Sequence, residues 1–139
     1  MIILKKVRRY DFNSKVEKEG SKEKGLIPVN ILETAHFIEN VLDEKKGYDI
    51  ELIDVRDKTT LADFFIIASG SNKNQVKALA DEVQFKVERD LSLTPRHIEG
   101  QGGDRWILLD YMDIVVHIFE EEERAHYSLE KLWSGRPQH

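Results

Sequence analysis

Asp63-Phe64-Phe65-Ile66-Ile67-Ala68-Ser69-Gly70-Ser71-Asn72-Lys73-Asn74-Gln75-Val76 is the stretch that decides the fold. Phe64 to Ala68 is an unbroken apolar run of strand length. A strand with one wet face would alternate apolar and polar side chains, so this run suits a central strand covered on both faces. Ser69-Gly70-Ser71 ends the run, and Asn72, with Gln75 three residues on, caps a following helix. Val76, Leu79, Ala80, Val83, Val87 and Leu91 then recur at helical spacing. Pro95 stops that helix, because it lacks an N–H and clashes with the preceding turn. A buried strand feeding a helix long enough for a right-handed crossover to a strand at 97–99 reads as α/β.

The rest of the chain extends this pattern in both directions. Upstream, Pro28 opens the folded part, and Asn30 with Glu33 forms a capping-box arrangement. Ile31, Ala35, Ile38 and Leu42 follow at helical spacing, and Gly47 is the stop. Ile50 to Val55 reads as a short strand. Downstream, His97-Ile98-Glu99 reads as a strand and Gly100-Gln101-Gly102-Gly103 as a turn. Arg105–Tyr111 and Ile114–Phe119 are two further strands joined around Met112-Asp113. A last helix runs from about Glu121 to Trp133, with Ala125, Leu129, Leu132 and Trp133 on one face. The glutamates at 120–123 sit at its start, where the helix dipole favours negative charge. The order αββαβββα describes a single α/β domain at 28–135 with a mixed sheet of about five strands.

Of the 139 residues, 40% are hydrophobic and 34% charged, an ordinary globular composition. The absence of cysteine excludes disulfides and thiolate chemistry, and fits a reducing cytoplasm. No apolar run is long enough to span a membrane, and Met1–Leu4 is too short for a signal-peptide core. Residues 1–25 hold eight Lys/Arg and four Asp/Glu, whereas the remainder holds thirteen and twenty-two. Residues 1–27 therefore read as a flexible basic extension on an acidic body. Such a body does not suit specific nucleic-acid binding; it suits docking on a basic protein surface.

Several motifs invite chemistry. The Ser69–Lys73 turn resembles the Gly-Ser turn of polymerase-β-type nucleotidyltransferases, and helix N-termini bind anions. Metal-assisted phosphoryl transfer, however, needs convergent carboxylates. The best pair, Asp110 and Asp113, cannot share a strand face at that spacing. Gly100–Gly103 precedes a strand instead of a helix and lacks a following Lys-Ser/Thr, so it reads as a plain turn. His117, flanked by Val-Val and Ile-Phe, reads as a hydrogen-bonded structural histidine. No spacing offers a metal site or a nucleophilic triad. In the strand from Trp106, one face carries Trp106, Leu108, Asp110 and Met112, the other Ile107, Leu109 and Tyr111. Both are largely apolar, so the Trp106 face is either a second buried layer or a binding patch.

From Asp54 to Trp133 the chain resembles the Iojap-like ribosomal silencing factors. The likeness rests on Leu52-Ile-Asp54-Val55, Ala62-Asp63-Phe-Phe-Ile-Ile67, Ser69-Gly-Ser71, Glu99-Gly100, Trp106-Ile-Leu-Leu-Asp110, Asp113-Ile-Val-Val-His117-Ile-Phe119, Glu123-Arg124 and Tyr127-Ser-Leu-Glu-Lys-Leu-Trp133. It implies a nucleotidyltransferase-like fold without catalysis, cofactor or metal. It further implies binding to ribosomal protein uL-fourteen of the large subunit, where the small subunit would dock, so that joining is blocked and translation damped when nutrients run short. The contact residues it points to are Trp106 first, with Asp110 and Asp113 pairing to basic residues of the partner. Leu108, Tyr111 and Met112 are added by position. Many members carry glycine where this chain has Met112. Two other classes remain open on the residues alone. One is a nucleotide binder or enzyme using the Ser69–Lys73 turn; the other is a homodimer formed through the same apolar strand.

Overall fold

The apolar run at 64–68 becomes the middle of a sheet. The structure, a computed structural model, describes residues 29–100 and 105–127. Its elements follow the expected order: α1 (Val29–Glu44), β1 (Tyr48–Asp54), β2 (Phe64–Gly70), α2 (Lys73–Leu91), β3 (His97–Glu99), β4 (Trp106–Asp110), β5 (Ile114–Glu120) and α3 (Glu121–Tyr127). The extension at 1–27, the glycine turn at 101–103 and the last helix beyond Tyr127, with Leu129, Leu132 and Trp133, lie outside the described residues. Among the described residues no helix is long and apolar enough to cross a membrane.

The five strands lie in the order β1-β2-β5-β4-β3. β2 and β5 pair parallel, and the other three neighbouring pairs are antiparallel. The crossover through α2 does not set β3 beside β2. The chain instead crosses to the far edge, lays down β3, returns through β4, and brings β5 alongside β2. Burial explains the placement. Every residue of β2 is buried, and such a strand needs a hydrogen-bonded neighbour on each side. The three half-buried residues of β3 suit an edge, where a short strand with charged side chains resists pairing with other chains.

Two apolar layers flank the sheet. Ile38 and Leu42 of α1 and Leu79, Val83 and Val87 of α2 pack on one face with Ile66, Ile107, Leu109 and Val116. The other face gathers Phe65, Ile67, Trp106, Leu108, Val115 and Phe119, with Val55, Leu61 and Ala62 from the loop after β1. The alternation expected for 106–111 is therefore observed, and both faces are core.

Local signals hold with adjustments. Asn72 caps α2, its side-chain oxygen accepting the Gln75 N–H at 2.9 Å. α1 already begins at Val29, so Asn30 lies inside its first turn. β2 continues two residues past Ala68 because Ser69 and Gly70 pair with Phe119 and Glu120. Gly70 fits a tight approach there: a Cβ would lie 3.1 Å from Val76 Cγ2 and 3.2 Å from Val76 N, so a larger residue would press α2 away from its strand. β1 begins at Tyr48, ahead of the expected Ile50, through a bulge between Tyr48 and Glu51. Asp49 has φ 50° in that bulge.

Gly47 does end α1, though not as the left-handed residue. Lys46 takes that role with φ 77°, its N–H donating to Asp43 O at 3.1 Å while Gly47 N–H donates to Leu42 O at 2.8 Å. This is the paired closure of a Schellman turn. Glycine is needed one residue later, because a Cβ on Gly47 would lie 2.9 Å from the Leu42 carbonyl oxygen and 3.2 Å from Leu79 Cδ2. Lys46→Gly should therefore raise folding stability by about 0.5–1 kcal/mol, and Gly47→Ala should lower it by about 1–3 kcal/mol. Denaturant midpoints of the two variants check the pair of opposite signs.

Candidate functional site

The residues singled out for partner binding run along β4 and into its turn to β5, and they divide into two groups. Trp106 is 2% exposed and Leu108 fully buried. The Trp106 indole stacks on Phe119 with centroids 4.6 Å apart, and its Nε1–H donates to His117 Nδ1 at 3.1 Å. His117, itself buried, is thus the hydrogen-bonded structural histidine read from the sequence, with Phe65 against its ring at 4.7 Å. Of the two possibilities open for the Trp106 face, this structure realises the buried layer. The reason is that Phe65, Phe119 and His117 supply a closed aromatic nest for the indole.

Asp110 is also inside. Its side chain has 0% exposure, and Oδ2 accepts from Arg96 Nε at 3.0 Å. Oδ1 accepts the Met112 backbone N–H at 2.7 Å. Both carboxylate oxygens are occupied within the chain, so the expectation that Asp110 pairs with basic residues of a partner is corrected. Arg96 was the residue that sequence reasoning missed. An arginine following Pro95 carries no motif, and only the pairing of β3 with β4 sets it beside Asp110.

Tyr111, Met112 and Asp113 keep part of their surface exposed. The turn is closed by Tyr111 N–H to Ile114 O at 2.8 Å and Asp113 N–H to Tyr111 O at 3.0 Å. The Asp113 carbonyl accepts from Asp63 N at 2.8 Å and Phe64 N at 3.1 Å, joining the turn to the start of β2. Met112 has φ 78°, a conformation that costs a residue with a long side chain about 1 kcal/mol or more. It is also where a glycine would sit without strain. The Tyr111 ring packs against the helix-side core, and its hydroxyl is buried without a hydrogen-bond partner among the described residues. Burial, with the Glu88 charge adding to it, pushes the Tyr111 phenol far above the usual tyrosine range.

The second candidate, the Ser69–Lys73 turn, is closed upon itself. Gln75 Oε1 accepts from Ser71 N at 2.6 Å and from Ser71 Oγ at 2.8 Å. The Gln75 N–H goes to Asn72 and its Nε2 to the Lys46 carbonyl at 2.9 Å. A phosphate would need these donors, and side-chain caps hold them instead. Arg124, buried in α3, donates to Ser69 Oγ at 2.8 Å and to the Asp49 carbonyl in the β1 bulge. Tyr48 donates to Glu121, and that carboxylate raises its phenol to about 12. These contacts make α3 a fastener over the ends of β1 and β2. Among the described residues no group of three or more His, Asp or Glu side chains is placed to hold a metal ion.

Comparisons with known proteins agree with this architecture. The family model described as "Ribosomal silencing factor during starvation" matches residues 28–139. A ribosomal silencing factor of Halalkalibacterium halodurans is 39% identical over 98 residues, covering 70% of this chain and 83% of that protein. The mouse protein named for mitochondrial assembly of the ribosomal large subunit is 31% identical over 102 residues, covering 70% of this chain and 43% of that one. A crystal structure of a protein from Chromobacterium violaceum superposes with a TM-score of 0.72 at 34% identity, covering 78% of this chain and 89% of the other.

Trp106→Ala should lower folding stability by about 3–5 kcal/mol, because it empties the space between Phe119 and His117 and leaves His117 Nδ1 without its donor. Met112→Gly should raise stability by about 0.5–1 kcal/mol through relief of the positive φ. Denaturant unfolding of both variants beside the parent chain measures each sign.

Proposed function

The chain belongs to the ribosomal silencing factor family, and we propose that it binds the large ribosomal subunit and bars the small subunit from joining. The observation that carries this reading is the family match from residue 28 onward, which takes in every described element from α1 to α3. The partner in this reading is ribosomal protein uL-fourteen, and the effect is a damping of translation when nutrients are scarce. The action is steric and needs no catalysis, cofactor or metal, and the protein works in the bacterial cytoplasm.

Charge supports a protein partner of basic character. Beyond residue 25 the chain holds thirteen Lys/Arg against twenty-two Asp/Glu, and such a surface is steered toward positive patches and away from bare phosphate. The contact in this reading lies at the β4–β5 turn, where Tyr111, Met112 and Asp113 are accessible. Asp110 supports it from beneath through the Met112 N–H, while Trp106 and Leu108 lie farther back along β4 in the core. A homodimer of the free protein would be one way to cover the same turn before ribosomes are met.

The protein should co-sediment with purified large subunits and lower the yield of joined ribosomes when small subunits are added. Addition of small subunits first should abolish the effect, since the docking face would be occupied. Co-sedimentation with small subunits alone, or an undiminished yield at saturating protein, would sink the proposal.

A further inference from the structure

We propose that Arg96 and Asp110 are positioning residues for the partner-contact turn: without meeting the partner, they hold Met112 in the left-handed conformation that shapes the turn. This rests on the reading above that the β4–β5 turn is the contact.

The geometry forms a three-link chain. Arg96, immediately before the edge strand β3, grips the end of β4 at two points. Its backbone N–H donates to the Asp110 carbonyl at 2.9 Å, and its Nε donates to Asp110 Oδ2 at 3.0 Å. The guanidinium thereby fixes the rotation of a carboxylate that has no exposure of its own. Fixed in that orientation, the carboxylate directs Oδ1 to the Met112 N–H, 2.7 Å away, a short charge-assisted bond. That bond spans the peptide preceding the one residue of the turn with positive φ.

A turn that merely joined two strands would relax with glycine at its left-handed position. A strained non-glycine backbone persists only where its surroundings over-determine it, and such positions cluster at binding and catalytic sites. Here a half-buried ion pair and an amide clasp over-determine the placement of a partly exposed methionine. Methionine is an adaptable apolar contact for a partner surface. Arginine suits the gripping role because its planar fork fixes orientation, which a lysine ammonium does not.

The test follows the turn and the ribosome separately on the full chain. Amide hydrogen exchange by NMR reads the Met112 clasp, and sedimentation with purified large subunits reads affinity. Arg96→Ala should speed Met112 exchange at least about tenfold, leave Val116 in mid-β5 within about twofold, and weaken large-subunit affinity by about tenfold. Arg96→Lys, which keeps the cation but loses the oriented guanidinium, should recover little of either loss. If Arg96→Ala does not fold, Asp110→Asn serves, since it leaves no buried charge unpaired; it should speed Met112 exchange at least about fivefold. Unchanged Met112 exchange in the folded variants overturns the proposal. So does a loosened turn with full affinity. If the parent protein itself does not bind large subunits, the functional reading fails, while Met112 exchange still decides whether Arg96 and Asp110 hold the turn.

Discussion

The parallel pairing of β2 with β5 is the constraint on which the rest of the structure depends. All seven residues of β2 are buried, as are the first six of β5. Buried backbone N–H and C=O groups must be paired, since each orphan costs about 1–3 kcal/mol. Each of these strands therefore needs a second neighbour, and β1 and β4 provide it. Parallel neighbours cannot be joined by a tight turn. The chain must leave the sheet between them, and α2, β3 and β4 are what fills that excursion. The edge placement of β3 follows, and with it the arrival of Arg96 beside Asp110.

Three polar side chains inside this sandwich are tolerated because they are matched. Trp106 gives its indole proton to His117, Arg124 divides its donors between Ser69 and the bulged Asp49 carbonyl, and Arg96 offsets the charge of Asp110. Each match joins elements distant in sequence, so each also specifies which strand lies against which. Removing one partner would strand the other in a dry environment, a greater loss than the bond itself is worth. Tyr111 departs from this pattern. Its hydroxyl is buried beside the charge of Glu88 without a hydrogen bond among the described residues, at one end of a turn whose next residue is strained. Two local costs in adjacent residues distinguish this turn from Ser69–Lys73, where the Ser71 N–H and hydroxyl are both held by Gln75.

The distinction bears on function in a direct way. A surface that binds through shape must keep that shape when free, because ordering it on contact reduces affinity. The Ser69–Lys73 turn is exposed at Ser71–Lys73, but Gln75 and Asn72 hold donors that a ligand would need. The β4–β5 turn is partly exposed and is held from below by the Asp110 carboxylate on the Met112 N–H. The steric action proposed above requires that second arrangement.

The sequence by itself determined the element order, the two-faced burial of residues 64–68, the cap at Asn72 and the structural character of His117. These are local: apolar periodicity and capping chemistry are set within a few residues, and the resemblance to the silencing factors rests on the same runs. What only the tertiary structure decided was which strands are neighbours and what each polar side chain faces. Asp110 reads as an acid at a strand end, available to a partner, until β3 brings Arg96 onto it. Trp106 reads equally as core or contact until Phe119 and His117 arrive from the next strand. Gly47 reads as the stop of α1 from its type alone, but what demands glycine there is contact with Leu42 and Leu79, which leaves no room for a Cβ, while Lys46 takes the left-handed conformation. In each case the deciding atom belongs to another element or to a turn closed through space, and periodicity along the chain carries no record of it.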